Sequence, residues 1–327
     1  MWASTPYPPQ FVVPALRQPQ ALTQFWPSIG FYGSQRFYLA WSGAQTNKIF
    51  YSAYGTTYGS NCSHFSLTAC WTPQARVHGP WGTARAFGPP ALVDYAGDMY
   101  ALWAGAETQR LFYSAYNGTT WSAQEPVKGP WGRAVTPDPV AAVVYNGDLW
   151  VAWQASSTSS SPISYSYFNG SSWSAPASVP YLPAAENVVP AALVVYQGDL
   201  YLFSAPNRGS EEYSIYNGSV WSSPVAVAGM SGAGAAVCDG DLFAGWVKDN
   251  GPGLGQEIVY SDFDGSTWTE PVVVPGTKEA VYETVALGCS GDTLYLAWGN
   301  YLRSGTSNGA LVTFAENVGS PPPPPPK

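Results

Sequence analysis

The sequence predicts an all-β fold built from repeated four-stranded units, and three observations support this prediction. A phrase of the form Tyr-Ser-x-Tyr or Tyr-Ser-x-Phe begins at Tyr51, Tyr113, Tyr165, Tyr213 and Tyr260. Each copy leads to a tryptophan, and these tryptophans recur about every 50 residues, a period typical of propellers and solenoids. They are Trp71, Trp121, Trp173, Trp221 and Trp268. No segment shows the 3.6-residue periodicity of a helix.

A second repeated phrase predicts another strand in each unit. It opens with Asp and, in most copies, ends in Trp. The copies span residues 98–103, 148–153, 199–203, 241–246 and 292–298, and residues 36–41 form a sixth copy that opens with Arg. Aromatic residues are frequent in these copies, as is typical of strands.

The third unit shows the whole pattern best. Its strands are predicted at 140–145, 149–154, 163–168 and 172–179, separated by the turns Asn146-Gly147-Asp148 and Asn169-Gly170. Asn-Gly is the strongest short hairpin signal because both turn positions need a positive φ. We therefore expect positive φ at Gly118, Gly170 and Gly218, although Asn-Gly-Ser and Asn-Gly-Thr also match the N-glycosylation acceptor pattern. Four-stranded units at this period are propeller blades.

The ends of the chain set the predicted number of blades. The sixth unit has three strands, at 283–287, 294–298 and 310–314, and is followed by six prolines. Residues 10–14 belong to no other unit, so we expect them to supply the missing outer strand. The prediction is a single six-bladed β-propeller at 1–317, closed by its N-terminal strand, and a polyproline II tail at 318–327. A seven-bladed ring, made by a dimer or by further sequence, is the alternative.

Charge and composition exclude several function classes. The chain of 327 residues has 13 Lys and Arg against 21 Asp and Glu, a net charge of −8. Nucleic acid and anionic membranes are therefore poor partners. No apolar run is long enough to span a membrane, and the first residues lack the features of a signal peptide. We expect a soluble protein, either cytoplasmic or a mature secreted form.

The inventory of reactive residues argues against catalysis. His64 and His78 are not in a metal-ligand spacing, and no glycine-rich phosphate loop is present, so neither a metal nor a cofactor is expected. The predicted innermost strands carry almost no ionisable residue, and Asp94 is the nearest exception. We expect no enzyme, although the loop carboxylates could converge on one mouth of the channel. They are Asp138, Glu186, Glu279 and Glu283.

Two patterns resemble known families. Residues 261–268, Ser-Asp-Phe-Asp-Gly-Ser-Thr-Trp, resemble the Asp-box hairpin of sialidase-type propellers, except that the acidic residue precedes Gly by one place rather than two. The whole-chain pattern, Asp-Leu-Tyr-x-Ala-Trp followed by Tyr-Ser-x-Tyr-Asn-Gly-x-x-Trp, resembles repeat lectins of fungi and bacteria. That resemblance implies a six- or seven-bladed propeller that holds sugars between adjacent blades with a Trp face, an Arg and a carboxylate or amide.

The resemblance implies a set of candidate ligand-binding residues. The first group contains the tryptophans that end the second strands, for which packing is an equal alternative: Trp41, Trp103, Trp153, Trp246 and Trp298. The second group contains charged residues that open third strands: Arg110, Glu212 and Glu257. The fourth unit has Ser204 where Trp is expected, which predicts an altered cleft. The tryptophans near the outer strands, by contrast, are expected to pack between blades.

Two further tryptophans stand in blade-connecting loops. Trp81 and Trp131 each lie in a Gly-Pro-Trp-Gly segment, which favours display of the ring over burial. Stacking of an aromatic ring on the C–H face of a sugar makes such a residue a candidate binding group. We therefore predict a multivalent lectin that binds glycans or glycoproteins. The alternatives are an interaction scaffold or a binder of other ligands, and third a glycosidase-like enzyme.

The four cysteines give two predictions. Cys62 and Cys70 flank an insertion of the first unit and have the spacing of a local disulfide. Cys238 and Cys289 each stand three residues before the Asp that opens a second strand. Matched places on neighbouring blades are usually too far apart for a disulfide, so we expect these two to be free thiols.

Overall fold

The chain folds as an all-β β-propeller. The computed structural model describes residues 11–12, 22–23, 25–33, 36–54, 72–155, 162–180, 189–205, 211–227, 229–230, 232–251, 255–274, 277, 284–301 and 310–318. Within these residues the regular elements are strands, and none is a helix long and apolar enough to cross a membrane. Cys62, Cys70, His64 and Trp71 lie outside the described residues, as does the run of prolines.

The strands follow the order that the repeats predict. In chain order they are β1 (Phe11–Val12), β2 (Leu22–Thr23), β3 (Ser28–Tyr32), β4 (Arg36–Ser42), β5 (Ile49–Tyr54), β6 (Ala75–Arg76), β7 (His78–Gly79), β8 (Gly82–Thr83), β9 (Ala91–Tyr95), β10 (Asp98–Ala104), β11 (Leu111–Tyr116), β12 (Glu125–Pro126), β13 (Lys128–Gly129), β14 (Gly132–Arg133), β15 (Ala141–Tyr145), β16 (Asp148–Gln154), β17 (Ile163–Phe168), β18 (Ala177–Ser178), β19 (Val189–Tyr196), β20 (Asp199–Ala205), β21 (Glu211–Tyr216), β22 (Val225–Val227), β23 (Gly234–Cys238), β24 (Asp241–Asp249), β25 (Gln256–Phe263), β26 (Val272–Val273), β27 (Ala286–Ser290), β28 (Thr293–Tyr301) and β29 (Ala310–Val318).

Five sheets have the predicted four strands, joined as antiparallel meanders. We call them blades 1 to 5: β3–β6, β9–β12, β15–β18, β19–β22 and β23–β26. The two ribbons β7–β8 and β13–β14 lie in the segments that connect blade 1 to blade 2 and blade 2 to blade 3. The outer strand of each blade is only two or three residues long, which leaves little exposed edge.

The last sheet differs from the four-stranded pattern predicted for it. It contains β27, β28 and β29 together with two N-terminal segments, and so has five strands. Phe11 lies opposite Phe314 in the first of these pairings, and Leu22 lies opposite Leu311 in the second. The long β29, which ends at Val318, offers room for both segments on one edge.

The innermost strands of the sheets contact one another in series. β3 contacts β9, β9 contacts β15, and the series continues through β19, β23 and β27, which in turn contacts β3. The hydrophobic core lies between neighbouring sheets and is made of aromatic and branched side chains from both. A cavity of about 380 Å³ is lined by these innermost strands.

The hairpin turns confirm the prediction made from Asn-Gly. Gly118, Gly170 and Gly218 have φ values of 89°, 89° and 91°. In each turn the asparagine side chain accepts hydrogen bonds from the second and third following backbone N–H groups, as Asn117 does at 3.0 and 2.9 Å. Asp264 makes the same two bonds at 2.8 Å. These bonds hold the pKa of Asp264 low, at about 2.

The tryptophans near the outer strands pack between blades, as expected. The four of them in the described residues each contact the repeated tyrosine of the preceding blade, and Trp121 meets Tyr51 edge to face with ring centroids 5.5 Å apart. The equivalent pairs are Tyr113–Trp173, Tyr165–Trp221 and Tyr213–Trp268. Such edge-to-face geometry is favoured by the ring quadrupoles. The repeated Tyr and the repeated Trp therefore form a single packing contact, with the Tyr on one blade and the Trp on the next.

The prediction of free thiols at Cys238 and Cys289 is wrong, because the two are joined in a disulfide with a Cα–Cα distance of 5.4 Å. The reason is the strand register. Cys238 lies opposite Asp241 at its turn, whereas Ser290 takes that place in β27 and Cys289 lies one residue earlier, opposite Leu294. Successive side chains of a strand point to opposite faces. The two cysteines therefore face each other across the boundary between blade 5 and the last sheet.

Candidate functional site

The tryptophans that end the second strands lie in the core. Trp103 is fully buried and belongs to the same core cluster as Tyr38 and Ala40 of blade 1. The others are 1–3% exposed: Trp41, Trp153, Trp246 and Trp298. None presents a ring face on which a sugar could stack. These rings are assigned to packing between blades, which corrects the binding role considered for them.

The charged residues that open third strands are not brought together. Arg110 is exposed and bridges Val135 in the connection from blade 2 to blade 3, Glu212 lies opposite Ser204 in blade 4, and Glu257 lies opposite Lys248 in blade 5. Ser204 is itself buried. Each charge therefore belongs to a separate boundary, and sequence position alone does not define one site.

The two Gly-Pro-Trp-Gly segments form tight hairpins that hold their tryptophans half-buried. The Trp81 ring folds over Gly79, where a Cβ would overlap it, and its indole N–H donates to the carbonyl of Ser122 at 2.8 Å. Trp131 folds over Gly129 in the same way. The rings pack on one side and leave part of their surface exposed. The display predicted for them is therefore only partial.

The structure adds an ion pair that the repeats did not indicate. Arg85, in the segment that connects blades 1 and 2, lies 3.4 Å from Glu107 in the β10–β11 turn of blade 2. Their side chains are 52% and 75% exposed, so the pair contributes little to stability and remains open to a ligand. Backbone bridges from Lys48 to Arg85 and from Ala86 to Gly105 fix the segment between the two blades.

An exposed aromatic side chain lies in the same connecting segment as Arg85. Phe87, two residues after Arg85, is 46% exposed and contacts Phe25 with centroids 5.7 Å apart. Phe25 in turn meets the Trp26 ring edge to face. We call Arg85, Glu107, Phe87 and Phe25 the blade 1–2 site. It combines apolar ring surface with a guanidinium and a carboxylate, the groups that can contact both the C–H face and the hydroxyls of a sugar.

The next connecting segment does not repeat this site. Val135 occupies the place of Arg85, since it bridges Arg110 as Arg85 bridges Lys48. Neither Arg85 nor Glu107 belongs to a repeated phrase, so the repeats do not identify either residue as part of a site. The local sequence does give an indication, because a charged residue, Arg85, and an aromatic residue, Phe87, stand together in a Gly- and Pro-rich connection.

The central cavity has a different chemistry. Among its described lining residues Asp94 is the one ionisable group, and its carboxylate accepts the Gly33 N–H at 3.4 Å. Asp138 is half-buried, and burial raises the pKa of its carboxyl. Within the described part of the chain no group of His, Cys, Asp and Glu forms a metal-ligand set. Glu186, Glu279 and Glu283 lie outside the described residues.

One carboxyl group is buried at a position where other blades have an aliphatic side chain. Glu211 takes the place that Ile49, Leu111 and Ile163 hold in blades 1 to 3, and it is fully buried. One carboxyl oxygen accepts the Ala233 N–H at 2.6 Å, and the other has no hydrogen-bond partner. Burial raises the pKa of Glu211 to about 8. The group is a structural feature of the blade 4–5 boundary and offers no surface to a ligand.

The fold and the blade 1–2 site define a β-propeller with exposed polar and aromatic groups where its blades are connected. No protein-family model matches the sequence, and no curated protein is a detectable relative. The solved structures that it resembles include Aleuria aurantia lectin, at 15% identity and a TM-score of 0.59, covering 90% of this chain and 96% of the lectin. AofleA from Arthrobotrys oligospora is 12% identical with a TM-score of 0.59, covering 90% and 84%.

Sialidases are among the similar structures as well. The Hadza microbial sialidase Hz136 is 16% identical with a TM-score of 0.61, and the match covers 91% of this chain but 65% of the sialidase. The chain therefore spans less than two thirds of that enzyme. These matches confirm the resemblance to propeller lectins and to sialidase-type propellers at the level of the fold.

Proposed function

We propose that this protein is a carbohydrate-binding propeller, or lectin, and that the blade 1–2 site holds a sugar. The observation that carries the proposal is the exposed Arg85–Glu107 pair, with the exposed ring of Phe87 two residues after Arg85 in the same segment. A ring face can stack on the apolar side of a pyranose, while the guanidinium and carboxylate orient its hydroxyls. Because the pair is internally neutralised, we propose that this site takes an uncharged sugar.

The similar structures support this class of ligand. Aleuria aurantia lectin recognises fucose, and SapL1 lectin was solved with α-methyl fucoside. Trypanosoma rangeli sialidase was solved with sialic acid. Sugar recognition thus recurs on this architecture, while the particular sugar depends on side chains that differ among these proteins.

We further propose that the last sheet is a sixth blade, closed by the N-terminal strand β1, and that residues 1–317 form one domain followed by the proline-rich tail. The pairing of β1 with β29 supports this. Since Val135 replaces Arg85 at the next boundary, the clefts are unequal. We propose that a multivalent array, if formed on clustered glycans, contains sites of different affinity.

Binding without catalysis is part of the proposal. Among the described residues that line the cavity of the innermost strands Asp94 is the one carboxylate, whereas hydrolysis of a glycoside ordinarily uses a pair of carboxyl groups about 5 to 9.5 Å apart. The alternative role of interaction scaffold would use the same exposed aromatic surface, but it gives no reason for the Arg85–Glu107 pair.

A glycan array followed by calorimetry tests the proposal. We expect saturable binding of a neutral glycan, which is recovered unchanged after incubation. Phe87→Ala should weaken binding by roughly fivefold to tenfold, the loss expected for one aromatic contact, and Arg85→Gln should weaken it further. Val135→Ala, at the equivalent place of the next connection, is the matched control. Absence of glycan binding, or consumption of the glycan, would refute the proposal.

A further inference from the structure

Positive charge is concentrated in one part of this acidic protein. Of the eight Lys and Arg in the described residues, two, Arg36 and Lys248, lie elsewhere. The other six lie directly before the third strands of blades 1 and 2, in the outer strand of blade 1 and in the connections that follow these blades, and we call them the basic arc: Lys48, Arg76, Arg85, Arg110, Lys128 and Arg133. Carboxylates along the same stretch are Glu107, paired with Arg85, and Glu125.

Part of the negative charge is carried by a repeated turn. The turns between first and second strands place an aspartate at the same position in blades 2 to 5: Asp98, Asp148, Asp199 and Asp241. A protein of net charge −8 can in this way keep a local positive surface at blades 1 and 2.

One pair of like charges lies directly opposed within the arc. Lys128 pairs with Arg133 across the β13–β14 ribbon, whereas Arg85, which forms a bridge with Lys48, is balanced by Glu107. Like charges in directly opposed positions destabilise a pair of strands. A bound anion would remove the repulsion between Lys128 and Arg133, so this pair indicates a negatively charged ligand.

The arc is continuous from blade 1 to the connection after blade 2. Lys48 and Arg110 hold the same place, since their carbonyl oxygens accept the N–H groups of Gly43 and Gly105, both at 2.8 Å. The β13–β14 connection is joined to β11 by the hydrogen bond from the Leu111 N–H to the Ala134 carbonyl. Charges repeated from one boundary to the next suit a linear ligand with repeated anionic groups.

Aromatic side chains accompany the charges. The Arg76 guanidinium lies 5.9 Å from the centre of the Phe50 ring, and the half-buried Trp81 and Trp131 stand on the two ribbons.

We propose that the basic arc binds an extended acidic polysaccharide that carries sulfate or carboxylate groups. The inference deepens the proposed carbohydrate-binding function and rests on it for the class of ligand.

A polysaccharide fits better than a nucleic acid. Trp81 has its indole N–H bonded to Ser122 and packs on one side, so it offers a partial surface rather than a free platform for base stacking. Sugars combine anionic groups with C–H surface that the exposed parts of Trp81 and Trp131 can contact.

Binding of dextran sulfate, compared with uncharged dextran of the same backbone, tests the inference. We expect the intact protein to bind dextran sulfate and not dextran, with an affinity that falls as NaCl rises from about 50 to about 500 mM. The triple variant Arg110→Gln, Lys128→Gln, Arg133→Gln should bind at least about tenfold more weakly and show a smaller salt dependence. Lys248→Gln, which removes a cation outside the arc, is the matched control and should bind as the parent does.

Thermal unfolding separates loss of binding from loss of structure. All three substituted side chains are exposed, and removing Lys128 opposite Arg133 relieves repulsion, so the triple variant should melt no lower than the parent. Equal binding of dextran sulfate by the parent and the triple variant overturns the inference, as does no binding at all. Equal or tighter binding of single-stranded DNA overturns the choice of a polysaccharide.

The neutral glycan distinguishes this inference from the proposed function. The triple variant keeps the blade 1–2 site intact, so its affinity for the neutral glycan should be unchanged while its affinity for dextran sulfate falls. A protein that binds dextran sulfate through the arc but no neutral glycan would contradict the proposed site alone. The reverse result would contradict the acidic polysaccharide alone.

Discussion

The hydroxyl of Tyr95 donates a hydrogen bond to the carbonyl oxygen of Phe168, which lies 3.2 Å away on the next blade. Tyr196 makes the equivalent bond to Phe263 at 3.3 Å. Each tyrosine ends an innermost strand and reaches the outer hairpin of the following blade. These bonds connect the inner part of one blade to the outer part of its neighbour, where the ladder hydrogen bonds do not reach.

Tyr95→Phe and Tyr196→Phe should each lower the free energy of unfolding by about 1 kcal/mol, the usual net contribution of such a hydrogen bond. The ring stays in place, and the carbonyl loses its buried donor. Because the two sites lie at different boundaries, their effects should add. Chemical denaturation measures both. Tyr167→Phe, at an exposed tyrosine, should have little effect, and an equal loss there would contradict the role given to these hydroxyls.

Trp103→Ala should destabilise the protein by roughly 3 to 5 kcal/mol, because it empties the space of a fully buried ring between blades 1 and 2. Phe87→Ala, at a ring that is 46% exposed, should cost much less. Denaturation curves of the two variants check the contrast. Unchanged stability of Trp103→Ala would mean that this ring is not part of the core.

Stability should depend on pH through Glu211, whose pKa rises from 4.5 to about 8 on folding. The folded protein then holds a proton that the unfolded chain has released. The contribution is therefore complete below about pH 4.5 and is lost as the pH rises toward 8. Glu211→Gln keeps the shape without the charge, and it should raise the free energy of unfolding at pH 7 by about 3 kcal/mol at most.

Denaturation at about pH 5 and about pH 8 measures this effect. The parent should lose stability between the two values, and Glu211→Gln should lose less. Glu212→Gln, on the opposite face of the same strand, is the control and should follow the parent. A parent whose stability rises across that interval, with no change in the variant, would contradict the buried state of Glu211.

Reduction of the disulfide should destabilise the protein. The bond closes a loop between cysteines 51 positions apart, and loop-closure entropy gives about 4 kcal/mol for that length. Cys238→Ser with Cys289→Ser should unfold at lower denaturant concentration, and reductant should leave that variant unaffected. Mass spectrometry of a non-reduced digest checks the bond directly. Alkylation of both thiols without reduction would show that it does not form.

The repeats were sufficient to predict the four-stranded blades and their turns, because both depend on local chemistry. The positive φ at Gly118 follows from Asn-Gly itself, and the packing of Trp121 on Tyr51 follows from their recurrence together. Recurrence cannot separate a buried ring from an exposed one. A tryptophan recurs at the position of Trp103 because the space between neighbouring blades has to be filled by a large side chain. Its recurrence therefore indicates the core and not a binding site.

The disulfide and the Arg85–Glu107 pair depend on how neighbouring blades are placed, which the repeats do not indicate. The disulfide follows from a one-residue difference in register between the turns after Cys238 and Cys289, which equal spacing to the next Asp conceals. The Arg85–Glu107 pair joins a connection to a turn of the following blade, and neither residue recurs. Sites of this kind come from departures from the repeat.

Because both tyrosines bond to residues later in the chain, these bonds form in a fixed order when the ribosome makes the chain from its N-terminus. Tyr95 and Tyr196 meet acceptors that lie 73 and 67 residues further along the chain. Blades 2 and 4 therefore leave the ribosome before their hydrogen-bond acceptors have been translated. In a nascent chain that stops after either blade, the tyrosine that ends the innermost strand would lack its acceptor, and translation of the following blade would supply it.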